Sequence, residues 1–245
     1  MMYFKTKPKQ MYNTQQVLEA SVMAQRINGE YLKEKETKYT EVDGVTEYVV
    51  TKLDNKSIVY AYLLGKGRDE KDNKFIDTLT LEVTEADKQE VKDIHDHYEG
   101  KLFSAMGGQL DSYTENIWKV LDKEEVSALE VGLIASTPSA YERDIAKEGV
   151  EDKITSVCVD EYIGSKGDKI EGSVEIVNAI FSKNYNAFIY TGIYEGKFLV
   201  NFWNNEELAK QGDTIKIKAR IKRLAESKFY NKVWETQLNY VKKII

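Results

Sequence analysis

Cysteine occurs once in the 245 residues, at Cys158, histidine only at His95 and His97, and proline twice. A single thiol cannot form an internal disulfide, which excludes a disulfide-stapled scaffold. Two histidines and one cysteine do not supply the usual four ligands of a zinc site. They also leave little for a Cys–His or Ser–His nucleophilic pair. No apolar run reaches the roughly 18 residues of a membrane-spanning helix. The opening MMYFKTKPKQ has no apolar core of a secretory signal, so a cytoplasmic location is expected, with no membrane partner. With so few prolines, 15 glycines and 11% aromatic residues, collagen-like and low-complexity chains are excluded as well.

What is present is an uneven distribution of charge. The net charge is −6, yet residues 166–245 carry 14 basic and 9 acidic residues, a net of +5, which leaves −11 for the rest. Within 210–243 the balance is 10 to 3. A basic segment on an acidic body points to a polyanionic partner for the one and a protein partner for the other.

The periodicity changes along the chain. Asn13 or Thr14, followed by Val17, Leu18, Val22, Met23 and Ile27 ahead of Gly29, predicts a helix over 13–32. EYVVTKL, SIVYAYLLG and KFIDTLTLEV, separated by turn-rich segments, predict a three-stranded antiparallel meander. Thr84, with Glu85 and Asp87 in the first turn and Val91, Ile94, Tyr98 and Leu102 on one face, opens a second helix. Helices are further expected over 110–121 and 124–136, with another starting at Thr137-Pro138.

The last third reads differently. KGDKIEGSVEIV and QGDTIKIKARIK each launch an alternating segment from a Gly-Asp turn, and NAFIYTGI and KFLVNFW lie between them as a hairpin. NNEELAKQG suggests a short helix over 204–210, and KVWETQLNYVKKI closes as a strand. Five strands with a helix between the third and fourth are the OB-fold arrangement. The expected fold class is therefore α+β. An N-terminal region of mixed helix and antiparallel meander, residues 1–158, precedes a C-terminal five-stranded OB-fold β-barrel, residues 159–245.

These Gly-Asp-launched strands, the expected short helix and the ending TQLNYVK resemble the OB-fold nucleic-acid-binding modules of bacteriophage DNA replication and recombination proteins. The resemblance covers the last third only. It implies binding of single-stranded DNA, or else RNA, in replication, repair or recombination, in the host cytoplasm if the chain is phage-encoded.

Such a barrel binds a strand across its second and third strands and the two flanking loops, with aromatic rings for bases and cations for phosphates. The first loop and central strands offer Lys183, Tyr185, Tyr190 and Trp203. The second loop offers Lys228, Phe229, Tyr230, Lys232 and Trp234, with Tyr185, Phe229 and Tyr230 favoured because each stands among polar residues beside a lysine. On a strand, Lys216, Lys218, Arg220 and Lys222 project from one face as a cationic ridge, while Ile215, Ile217, Ala219 and Ile221 turn inward. His95 and His97, two apart on a helix, point away from each other and read as structural. The loop LLGKGRDEKDN lacks the Ser or Thr after lysine that a phosphate-binding loop needs, and it reads as a charged turn. Asp122, Glu124 and Glu125 suit a helix N-terminus. Cys158 reads as a buried strand residue. No enzymatic activity, cofactor or metal is expected. The alternative to strand binding is a non-enzymatic adaptor or assembly protein, with the barrel as scaffold and the acidic N-terminal region holding a protein partner.

Overall fold

The computed structural model describes residues 10–42, 45–105, 111–227, 230 and 233–244. Among these the chain runs β1 (Met11–Asn13), α1 (Thr14–Asn28), β2 (Glu36–Val42), β3 (Val45–Lys52), α2 (Asn55–Leu64) and α3 (Glu70–Ile76). It continues through α4 (Glu85–Ser104), α5 (Ser112–Leu121), β4 (Glu125–Ser127) and α6 (Val131–Val157). The last five elements are β5 (Lys169–Ser182), β6 (Ala187–Tyr194), β7 (Phe198–Asn204), β8 (Thr214–Glu226) and β9 (Trp234–Ile244). The protein is α+β, in two compact units, Met1–Asp144 and Ile145–Ile245.

In the first unit α1 is the central element. Asn13 Oδ1 accepts the Gln16 N–H at 3.0 Å, and Gly29 takes the left-handed conformation (φ 74°) that ends the helix. Val17, Leu18, Ala20, Val22, Met23 and Ala24 are buried, so the helix is covered on most sides. Ile58 and Val59 of α2, Ile94 and Tyr98 of α4, Ile117 of α5 and Ile134 of α6 complete that core. At the start of α4, Thr84 and Asp87 form a capping box, and Arg26 grips the Asp87 carboxylate through Nε and Nη2 at 2.8 and 2.9 Å.

The expected meander is not there. Of its three segments only EYVVTKL is a strand, part of β3, and it pairs with β2 to form a two-stranded hairpin. SIVYAYLLG is helical in α2, because Asp54 caps the turn from which it starts (Oδ1 to Ser57 N, 3.0 Å) and Gly65 ends it at φ 69°. That helix buries Ile58, Val59 and Ala61 in the core despite their β-prone neighbours. KFIDTLTLEV begins at the end of α3 and then runs unpaired, with Leu79, Leu81 and Val83 laid alternately on the core. The alternation marks extended chain, but no strand partner is supplied.

Two helix boundaries also move. Residues 124–136 split into β4, which pairs with β1, and the start of α6. Pro138 then lies inside α6 instead of starting a helix. A proline there removes one N–H from the helix ladder, while Ser136 Oγ and Thr137 Oγ1 donate to the Leu133 carbonyl one turn back, at 2.8 and 3.1 Å.

The second unit is a closed barrel in the order β5-β6-β7-β9-β8, antiparallel except for the parallel pair β7/β9. Numbered within the barrel this is 1-2-3-5-4, consistent with an OB-fold. Val174, Ile176, Tyr190, Val200, Phe202, Ile215, Ile217, Ile221 and Leu238 fill it. Both central strands send aromatics inward: Phe188, Tyr190 and Phe202 form a stacked column with centroids 6.2 and 4.9 Å apart. Each such ring buries 150–250 Å², an upper estimate of roughly 4–6 kcal/mol of transfer free energy. The end of α6 belongs to this unit ahead of residue 159, because Ile154 packs on Val177, Ile193 and Leu199 from outside the barrel.

The helix expected over 204–210 is absent. Asn204 Oδ1 accepts the Glu206 N–H at 2.9 Å and bends the chain there. The Leu208 N–H goes to the Tyr190 hydroxyl, the Lys210 N–H to the Asp213 carboxylate (both 2.8 Å), and the Leu208 carbonyl accepts from Lys243 Nζ. Leu208 and Ala209 then pack on the barrel core as extended chain.

Candidate nucleic-acid interface

The outward side of β6 and β7 is built from three cross-strand rows. In the first, Ile193 and Leu199 pair across the strands and are covered, with Val177, by Val150 and Ile154 of α6, Tyr230 and Val233. The second is polar: Asn178, Thr191 and Asn201, continued on β9 by Gln237. The Glu235 carboxyl beside it is raised by burial, against the opposing pull of a hydrogen bond from Asn201 and the charge of Arg223. The third row is Ile180, Ile189 and Trp203. It is open to solvent, with Trp203 44% and Ile180 55% exposed.

The loop joining β5 to β6 carries Lys183 and Tyr185, and the Tyr185 ring lies over this third row. Asn186 turns the chain at φ 46°, a conformation that asparagine tolerates. The Tyr185 ring, 66% exposed, stands edge-on to Trp203 with centroids 4.9 Å apart. Tyr185 and Trp203 are therefore brought together beside the exposed Ile180 and half-buried Ile189, with Lys183 two residues from Tyr185 in the same loop.

Tyr190 does not join them. It is fully buried inside the barrel, which removes it from any stacking role and corrects the sequence-based expectation. Tyr230 is half-buried against the cluster around Ile154, and burial raises its phenol. Trp234 is half-buried with its ring edge-on to Tyr162 at 4.8 Å. Tyr230 is not the free loop ring that its polar neighbours suggested, because the end of α6 reaches this side of the barrel. Lys228, Phe229 and Lys232 lie outside the described residues.

Lys216, Lys218, Arg220 and Lys222 do alternate with inward Ile215, Ile217, Ala219 and Ile221, and all four cations are exposed. They do not face the same way as Trp203. β8 bonds to β5 and β9, so β6 and β7 are each two strands away round the closed barrel. The strand β5 serves both sides: Lys169 to Glu175 pair with β8, and residues from Val174 onward pair with β6.

On the β8 side the sheet register adds residues that the sequence reading missed. Lys169 pairs with Arg220, and Lys242 of β9 pairs with Lys218. Glu171 also pairs with Lys218 and binds its ammonium at 2.7 Å. Tyr240, 77% exposed, emerges between Asn239 and Val241 at a shift in the β8/β9 register. The exposed Ile180 and the half-buried Ile189 were missed on the other side. Ile189 had a local signal, alternating with the inward Phe188 and Tyr190; Ile180 turns outward only through the register shift between Ile176 and Asn178, and the rest follow from pairings distant in sequence.

No family model, curated protein or solved structure matches the chain.

Elsewhere the chemistry is sparse. Among the described residues no group of three His, Cys, Asp or Glu is placed to hold a metal ion. Burial lowers the His95 imidazole, while His97 lies edge-on to Tyr98 and Tyr141 and 3.4 Å from Asp144. Burial pushes the Cys158 thiol up to about 11, which leaves little thiolate at neutral pH. No helix among the described residues is long and apolar enough to cross a membrane.

Proposed function

We propose that the protein binds single-stranded DNA through the outward side of β6 and β7, in phage-type DNA replication, repair or recombination. The observation that carries this reading is the exposed pair Tyr185 and Trp203. Neither ring is needed by the barrel core, which Phe188, Tyr190 and Phe202 already fill. Exposed together beside Ile180 and Ile189, the two rings present apolar surface that the faces of bases cover well, each stacked base contributing about 1–3 kcal/mol. Lys183 in the same loop as Tyr185 supplies a cation for a phosphate, and the half-buried Asn178 and Thr191 offer amide and hydroxyl groups to base edges or sugars. The covered row beneath α6 ends the track, so a strand runs over the loop end of the face.

The test is a titration of labelled oligothymidylate, duplex DNA and oligouridylate by anisotropy. The single strand should bind more tightly than the duplex. Trp203→Ala with Tyr185→Ala should weaken it about tenfold or more, since about 1.4 kcal/mol is one decade. Unchanged affinity in the double variant, or no binding by the wild type, removes this reading and leaves the adaptor role for the barrel.

A further inference from the structure

We propose that the cationic side of the barrel, made by β8, the first half of β5 and the end of β9, is a second single-strand site with Tyr240 as its stacking residue. This rests on the reading that the barrel binds single strands, and it adds a surface centred on β8, next to the one that carries Tyr185 and Trp203.

Three observations converge on Tyr240. The first is backbone geometry: Tyr240 has φ 52°, the left-handed region that a bulky side chain rarely occupies. Such strain persists where the surroundings over-determine it, and it concentrates at functional positions. The second is the bulge that imposes it. Lys218 pairs with Lys242 and Arg220 with Asn239, so Tyr240 and Val241 both stand opposite Ala219. A bulge re-aims a side chain. Here Val241 is buried in the barrel while Tyr240 is left outside, between two rows of the cationic side. Among the described residues no ring, hydrogen bond or ion pair engages the Tyr240 side chain.

The third observation is the charge around it. One row holds Lys169 and Arg220 beside Asn239, the next Glu171, Lys218 and Lys242, and the third Ser173 and Lys216. Neighbouring positions are about 4.8 Å apart across the strands and about 7 Å along them. Five cations thus form a two-dimensional array beside the ring, with Glu171 as the one carboxylate in those rows. A lysine array alone attracts any polyanion. An exposed ring held at its edge selects for one with unpaired bases, because a duplex keeps its base faces inside the stack. β8 lies two strands from both β6 and β7, while β9, which carries Tyr240, pairs with β7, and Asn204 Nδ2 donates to the Val241 carbonyl at 3.2 Å, so a short strand occupies one side and a long strand can cross β9 from one to the other.

The experiment counts short strands per chain. An oligothymidylate of about 6 nucleotides, near the small end of OB-fold site sizes, is titrated into the full chain by calorimetry and native mass spectrometry. Two strands per chain are expected for the wild type. One is expected for Tyr240→Asn with Lys242→Gln, in which asparagine keeps the left-handed conformation accessible. One is also expected for Tyr185→Ala with Trp203→Ala. The remaining site of this last variant should weaken about tenfold when Tyr240→Asn is added. A wild type that binds one strand, lost with Tyr185 and Trp203 and indifferent to Tyr240, overturns this proposal and leaves the first reading standing. One strand lost with Tyr240 alone supports this site and removes the other. A wild type that binds no strand overturns both.

Discussion

The Tyr190 hydroxyl accepts the backbone N–H of Leu208 at 2.8 Å, from a ring otherwise enclosed by the barrel. That bond ties the connection between β7 and β8 to the core. Tyr190→Phe keeps the ring and its stack on Phe202 but leaves the Leu208 N–H without its partner. An unmade bond to a part-buried donor costs about 1–3 kcal/mol. Urea unfolding of the variant should show a loss of that size, while strand affinity stays at the wild-type value. A loss of affinity without a loss of stability would return Tyr190 to the binding surface.

That bond also explains what the sequence could and could not convey. The alternation of Lys216 to Lys222 with Ile215 to Ile221 is a local pattern, and it survives because one side of β8 meets the barrel core and the other meets water. Asn13, Gly29, Thr84 and Asp87 act within four residues of their own position, so their helix ends were legible too. NNEELAKQG carries helix-forming residues, but its N–H groups find Tyr190 and Asp213, partners that no local pattern reveals. SIVYAYLLG fails in the other direction, as β-prone residues follow the Asp54 cap into a helix buried in the core. In the candidate site, Lys183, Tyr185 and Trp203 were legible as a loop and an outward strand position. Tyr240 was not, because a bulge changes which residue faces out without leaving a mark in the alternation.

Glycine at position 192 is required by close approach. A Cβ there would overlap the Val174 side chain and stand 2.8 Å from the Glu175 carbonyl oxygen, on the stretch where β5 carries its register shift opposite β6. Backbone cannot yield as a flexible side chain can. Gly192→Ala should destabilise the barrel by about 1–3 kcal/mol. Gly149→Ala, on an exposed stretch of α6 with nothing within 4 Å, should stabilise by roughly 0.5–1 kcal/mol through helix propensity. Thermal melts of the two variants should move in opposite directions.

Acid should loosen the first unit through Glu130. Its carboxylate accepts from the Lys123 ammonium and from the Ser127 N–H and hydroxyl at 2.8 and 2.7 Å, which holds it down to about 2. A carboxyl depressed in the folded state contributes stability that is fully present above its unfolded pKa, about 4.3, and is lost as pH falls toward 2. Asp87 acts in the same sense: burial alone would raise it, but Arg26 and Thr84 outweigh that and hold it below its ordinary value. Stability measured from pH 6 to pH 2 should fall within the lower part of that range. Glu130→Gln should be less stable at pH 6 and should lose less of its stability on acidification. Parallel curves for variant and wild type would remove Glu130 from the transition.

Glu171 restrains the cationic side of the barrel. Its carboxylate holds Lys218 at 2.7 Å with both side chains more than half exposed, so the pair adds at most a fraction of a kcal/mol to stability. For a phosphate the same pair is an obstacle, since Lys218 must leave Glu171 to reach it and the carboxylate repels it at close range. Glu171→Gln keeps the size of the side chain and removes the charge. The variant should bind a long oligothymidylate about two- to fivefold more tightly at low salt, the equivalent of a few tenths to 1 kcal/mol. The plot of log affinity against log salt should steepen by about 0.7, the value of one added phosphate contact on a single strand. Lys218→Gln should move both quantities less than Arg220→Gln does, because Lys218 is already partly neutralised. Equal effects of the two lysine and arginine variants, with no gain from Glu171→Gln, would mean that the strand does not cross these rows.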